Sequence, residues 1–139
     1  MKIDSIKNGI VLDHITAGKS MELYRLLGLD GLECSVALIK NVHSSKMGKK
    51  DIIKIDADIP IDMDAIGYVD PGVTIDIIRD GVLVEKKNIS LPETITNVIF
   101  CKNPRCITST EQELPHVFRL TDASNKVYRC VYCETKESK

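Results

Sequence analysis

The chain has 139 residues, 43% of them hydrophobic and 28% charged, with a formal net charge of -1. That is the make-up of an ordinary globular protein with material for one moderate core or two small ones. The near-neutral balance excludes the strong basic field of nonspecific nucleic-acid or membrane-surface binders. Charges interrupt every apolar run of the opening "MKIDSIKNGIVLDHI", so neither a signal peptide nor a membrane span is expected, and a cytoplasmic location is.

In chain order, Ile3 to Ile15 predicts one bent strand, with Asn8-Gly9 as either a bulge or a tight turn. "SMELYRLLGL" predicts a short helix capped by Ser20, with Leu23, Leu26 and Leu27 as its apolar stripe and Gly28 as its stop. "LECSVALIKNV" and "KKDIIKIDADI" read as strands joined by the polar "HSSKMG", and "PIDMDAIGYVDPG" as a second short helix. Two β-rich arms then flank Asp80-Gly81, a strong hairpin signal. The order β, α, β, β, α, β plus one further β predicts an α+β fold. Its expected form is a ferredoxin-like antiparallel sheet with helices on one face and an appended hairpin strand.

From Pro92 onward the chain changes character. Cys101 and Cys106 form a C-x4-C pair and Cys130 and Cys133 a C-x2-C pair, separated by a 23-residue insert. Two close pairs far apart are metal-ligand spacing, and four thiolates around one zinc make a closed tetrahedral site with no position for activated water. Iron or two disulfides are the competing readings. The expected result is a small zinc-ribbon-like β domain at 92–139, held by one structural zinc per chain, behind a larger domain at 1–91. His116 lies in the insert and could replace a thiol, although a lone histidine among polar residues is more often a surface one. Cys34, in a β-rich run, reads as a buried small hydrophobe.

A second constellation lies in the first domain. Asp13 and His14 are adjacent, Lys46, Lys49, Lys50 and Lys54 cluster around the third strand, and Lys86 and Lys87 sit on the second hairpin arm. Lysines can meet phosphates and a carboxylate can accept from a ribose hydroxyl. A charge run is more often a solvated face, however. No glycine-rich phosphate loop or nucleophile elbow is present, and the three histidines are scattered without an evident nucleophile partner.

Four stretches, "NGIVLDHI", "MGKKDIIKID", "SLPETITNVIFCKNPRCI" and "YRCVYCE", resemble in order and spacing those of the regulatory chain of aspartate carbamoyltransferase. The similarity runs from Ile3 to Glu134. The resemblance implies a non-catalytic, allosteric subunit of pyrimidine biosynthesis, in which the 1–91 domain binds nucleotide effectors (CTP, ATP, UTP) and the 92–139 zinc domain contacts the catalytic chain. It also implies a regulatory-chain homodimer that links catalytic trimers, with neither nucleic acid nor membrane as partner.

Carried over by position, the nucleotide site comprises Ile3, Asp4, Ser5, Ile6, Val11, Asp13, His14, Ile52, Lys54, Thr74, Asp76, Ile78, Leu83, Val84 and Lys86. The resemblance makes Asp13 the ribose acceptor, Lys54 a base or ribose contact and Lys86 the phosphate lysine, with His14 near the phosphates. Asp76 stands where the family often has asparagine, and Gly81 where some members carry an aromatic residue. Asn103, Arg105 and Glu134 fall at positions used toward the catalytic chain, Arg105 replacing a smaller polar residue. The rival reading is a zinc-ribbon nucleic-acid-binding module. With two Phe, four Tyr and no Trp, the chain lacks the exposed aromatics such modules use.

Overall fold

Alternation of isoleucine and leucine with polar residues builds the first half of the chain. The computed structural model describes residues 6–137. It places β1 at Gly9–Thr16, α1 at Ser20–Leu26, β2 at Val36–Ser44, β3 at Gly48–Ile55, α2 at Met63–Val69, β4 at Thr74–Arg79 and β5 at Val82–Asn88. The strands form one antiparallel sheet in the order β2-β3-β1-β4-β5. This is the ferredoxin-like arrangement with β5 added beside β4.

Every second residue of the central strands points to one face: Ile10 and Leu12 of β1, Ile53 and Ile55 of β3, and Ile75 of β4 are buried there. Leu23 of α1 and Ile66 and Val69 of α2 pack against them. Burying each such side chain stabilises by about 1.5–3 kcal/mol relative to exposure. Both helices therefore cover the same face, and the other face is open.

Ser20 is not a cap. The cap position is Lys19, which makes no side-chain capping bond, while the Ser20 hydroxyl donates instead to buried Asp51, at 2.6 Å. Helix α2 has a true side-chain cap, Asp62 accepting from Ala65 N–H at 3.1 Å. The expected bent strand from Ile3 is also corrected: among described residues, 6–8 precede the strand, which starts at Gly9. A Cβ on Gly9 would lie 2.1 Å from the Ile55 carbonyl oxygen, so only glycine can enter the sheet there. The irregularity of β1 comes later, where the register shifts between Leu12 and Ile15 and His14 adopts φ 59°.

Asp80 and Gly81 have φ of 52° and 77° and join Arg79 directly to Val82, the two-residue turn whose twist suits a hairpin. Gly81→Ala is expected to cost about 1 kcal/mol, since an L-residue is disfavoured at such φ. A lowered urea midpoint for the first unit checks it.

The chain divides into two compact units, Met1–Ser90 and Leu91–Lys139. The second holds β6 (Thr94–Thr96), β7 (Val117–Asp122) and β8 (Val127–Cys130) in one antiparallel sheet of that order. Its apolar core consists of Ile95, Phe118 and Tyr128 beside the buried Cys106 and Cys130, and the Tyr128 hydroxyl donates to the Pro92 carbonyl. Among described residues no helix is long and apolar enough to cross a membrane.

Candidate functional site

Two constellations emerge, one in each unit. In the second, the turn after β6 carries Cys101 and Cys106, and the end of β8 with its following turn carries Cys130 and Cys133. All four Sγ atoms lie within 4.8 Å of one another. Cys101–Cys133 and Cys106–Cys130 are separated by 3.6 and 3.7 Å. Sulfurs about 2.3 Å from a central ion at tetrahedral corners would be about 3.8 Å apart, so the cluster has the dimensions of a thiolate cage. The cysteines are free, which removes the two-disulfide reading.

The polar surroundings fit a cation as well. The Thr108 hydroxyl donates to Cys106 Sγ at 3.1 Å, and Thr135 Oγ1 lies 3.2 Å from Cys133 Sγ. Burial pushes the Cys101 thiol up to about 12, against the Asn103 N–H that favours its thiolate. Cys133 goes the other way: burial opposes ionisation, but the Thr135 hydroxyl and N–H outweigh it and hold the thiol at about 6. Four such groups cannot all ionise in so small a volume without a compensating cation. His116 is not in this cluster. Its Nδ1 accepts from Cys101 N–H at 3.1 Å and its ring meets Phe100 edge-on, with centroids 4.9 Å apart.

Asn103 bridges the two ligand turns. Its Nδ2 donates to Thr135 Oγ1 at 3.1 Å while its Oδ1 accepts from Arg105 N–H at 3.0 Å. Arg105 and Glu134 are exposed, Glu134 with φ 63°. Sequence reading passed over the apolar residues beside the ligands: Phe100 before Cys101, Ile107 after Cys106, and Val131 and Tyr132 between Cys130 and Cys133 are exposed by 59, 49, 43 and 41%. Their adjacency to the cysteines was the available signal.

In the first unit, strand register collects the second constellation on the open sheet face. Ala37, Lys54, Val11, Asp76 and Lys86 form one row across β2, β3, β1, β4 and β5. The neighbouring row pairs Asp13 with Thr74, and Ile39 with Ile52. On the other side Ile78 opposes Leu83, where a bulge leaves Val84 as the extra residue. Ile3, Asp4 and Ser5 lie outside the described residues. Ile6 is half-buried just before β1. The adjoining Lys7 and Asn8 are tied to the β4–β5 turn, Lys7 carbonyl accepting from Gly81 N–H at 2.8 Å and Asn8 Oδ1 from Asp80 N–H at 3.1 Å.

Asp13 already has partners. Lys50 Nζ donates to its Oδ1 at 2.9 Å, as does His14 N–H at 2.6 Å. Burial works against its charge, but these bonds win and hold the carboxyl below its ordinary range. His14 Nδ1 lies 2.9 Å from Thr74 Oγ1. Lys50 is the functional candidate the sequence reading left out of the site. Period-two alternation along β3 puts it with Ile52 and Lys54 and turns Lys49 away, and that was the usable signal. Asp76 differs from Asp13: its Oδ1 is buried and has no hydrogen-bond partner among described residues, and burial, above all, raises its carboxyl above the usual range.

An open sheet face with opposed lysines and carboxylates, joined to a separate thiolate cage, defines a two-domain binding protein. Comparison with known proteins agrees. Residues 1–90 match the family described as aspartate carbamoyltransferase regulatory chain, allosteric domain, and residues 93–139 match its metal binding domain. The chain is 52% identical over 134 residues to an aspartate carbamoyltransferase regulatory chain of Clostridium botulinum, covering 96% of this chain and 92% of that one. It is 52% identical over 135 residues to that of Clostridium tetani, covering 96 and 94%. With that of Bifidobacterium longum the identity is 44% over 134 residues, covering 96% of each. The chain belongs to the aspartate carbamoyltransferase regulatory chain family; it is the regulatory and not the catalytic chain.

Proposed function

We propose that the open sheet face of the first unit binds nucleoside triphosphate effectors (CTP, ATP, UTP), and that the second unit, held by one structural zinc, docks on the catalytic chain. Regulatory homodimers then link catalytic trimers in the cytoplasm. The observation that carries the effector reading is the row Lys54–Val11–Asp76–Lys86, flanked by Asp13 and Lys50. Lys86 is the exposed cation at its edge, suited to phosphates. Asp13 keeps a second carboxylate oxygen for a ribose hydroxyl, and Lys54 reaches the sugar or base from the far side of Val11. Leu83, Val84, Ile78 and Ile52 supply apolar surface for the base. Gly81 is committed to its turn, so no aromatic ring closes the site from there.

Zinc is supported by the all-sulfur donor set and its tetrahedral size. When bound, the ion supplies fold and not chemistry, because four thiolates leave no open position. Cys101, Cys106, Cys130 and Cys133 hold it, and Asn103 fixes the two turns relative to each other. Phe100, Ile107, Val131 and Tyr132 provide the apolar contact that the polar Arg105 and Glu134 alone would not.

Lys86→Ala is expected to weaken CTP and ATP binding about 10- to 100-fold, the worth of one charge-assisted phosphate contact. Calorimetric titration of the zinc-loaded chain checks this, and unchanged affinity would place the ligand elsewhere. Elemental analysis should return one zinc per chain, and co-expression with the catalytic chain tests the docking.

A further inference from the structure

We propose that Asp76 couples occupation of the open sheet face to uptake of a proton, so that a nucleotide phosphate is met here by a neutral carboxyl group that donates to it. The inference rests on the nucleotide reading above and adds to it a residue that sets the pH response.

Register places Asp76 between Val11 of β1 and Lys86 of β5. The phosphate-facing lysine and this carboxyl are therefore direct cross-strand neighbours. Its Oδ1 is shut off from water and accepts no hydrogen bond from the described residues. A carboxylate oxygen left so is costly, because an ionised carboxyl can only accept and none of the described residues donates to this oxygen. Lys86 from β5, and Lys50 and His14 from β3 and β1, favour the charged form, whereas Asp13 from β1 disfavours it; burial outweighs all of them and raises the carboxyl. Lys54 lies one strand further off, across Val11.

A phosphate arriving at Lys86 changes this balance in one direction. It competes for the lysine that most favours the Asp76 charge and adds a second anion beside it, both of which drive the carboxyl toward its neutral form. The neutral form carries an O–H, the donor that an acceptor-only phosphate requires. Binding and protonation then reinforce each other, and affinity must fall as pH rises through the carboxyl's range.

The test is titration of CTP and of ATP into the full-length, zinc-loaded chain without magnesium, from the lowest pH at which the chain stays folded and zinc-loaded up to about pH 8, in buffers of differing ionisation enthalpy. The parent and Asp76→Asn are compared, so that titration of the nucleotide's own phosphate cancels. The parent is expected to take up more protons on binding than Asp76→Asn. The parent's affinity relative to the variant's should fall as pH rises through the carboxyl's range, with tenfold per pH unit as the limit for one linked proton. If the variant does not fold, the parent's proton uptake beyond that of the nucleotide itself, measured also in His14→Gln, gives the same readout.

Equal proton uptake and a pH-independent affinity ratio would overturn the inference while leaving the nucleotide reading intact. A parent-specific gain that appears only with magnesium would overturn it in favour of a cation bridge. Absence of binding by both chains, or parent binding indifferent to Lys86→Ala, would overturn the nucleotide reading and the inference with it.

Discussion

Replacing Cys130 by Ala is expected to abolish metal binding and unfold the second unit while the first remains folded and binds nucleotide. Cys130 is a buried corner of the thiolate cluster and the last residue of β8, so its loss opens the metal shell and frees the turn that carries Cys133. Among described residues the unit has Ile95, Phe118 and Tyr128 as its large buried apolar side chains, and a structural zinc contributes on the order of 10 kcal/mol to such a small fold. No residual core replaces that.

The first unit keeps its own cluster, from Ile10 to Ile75, with no cysteine ligand in it. Size-exclusion chromatography with the catalytic chain should show lost assembly, and nucleotide titration of the same variant should be near the parent's. An effector would then bind without consequence, because coupling of about 1–3 kcal/mol between sites needs a physical connection. A Cys130→Ala chain that still assembles would show that the thiolate unit is not the connector.

Asp51→Ala is expected to destabilise the first unit by about 3 kcal/mol or more. Asp51 is completely buried. Its Oδ2 accepts from the Ser20 hydroxyl at 2.6 Å and Gly18 N–H at 3.1 Å, and its Oδ1 from Asn41 N–H at 3.0 Å. One carboxylate thus ties the start of α1, the turn before it and the bulge of β2, and alanine would leave these donors without their acceptor. Burial opposes the charge, but the Ser20 hydroxyl and the backbone N–H groups of Asn41, Gly18 and Ser20 outweigh it, so the carboxyl lies below its ordinary range in the folded protein. The folded state therefore binds its proton more weakly than the unfolded chain does. The stabilisation is fully present above the unfolded value of about 3.9 and is lost as pH falls through the folded one. Denaturant unfolding at neutral pH should separate parent from Asp51→Asn clearly, and the gap should narrow in acid.

Much of the architecture was legible because it depends on local pattern. Period-two alternation in "GIVLDHI" and "DIIKI" marks strands with one buried face, Asp80-Gly81 tolerates the positive φ of its turn, and two close cysteine pairs mark a metal cage whatever lies between them. The strand order followed from the order of elements, since a split βαβ repeated twice leaves few right-handed alternatives.

Other features depended on which groups become neighbours in space. Ser20 has the chemistry of a cap, and it was drawn away by Asp51, 31 positions along the chain, because a buried carboxylate needs donors more than an exposed helix end needs an acceptor. Asp13 and Lys50 were both visible as charges, but their ion pair needed β1 and β3 to be laid side by side with a bulge at His14. Asp76 was visible in the sequence as a carboxylate where the family often has asparagine, but its buried oxygen, without a partner among described residues, is seen only in the fold. By itself, then, the sequence determined the two units, the alternation of the strands and the four cysteines of the cluster. Tertiary structure decided the electrostatic state of the open face, because the charge of a carboxyl depends on its burial and on donors supplied by strands distant in sequence.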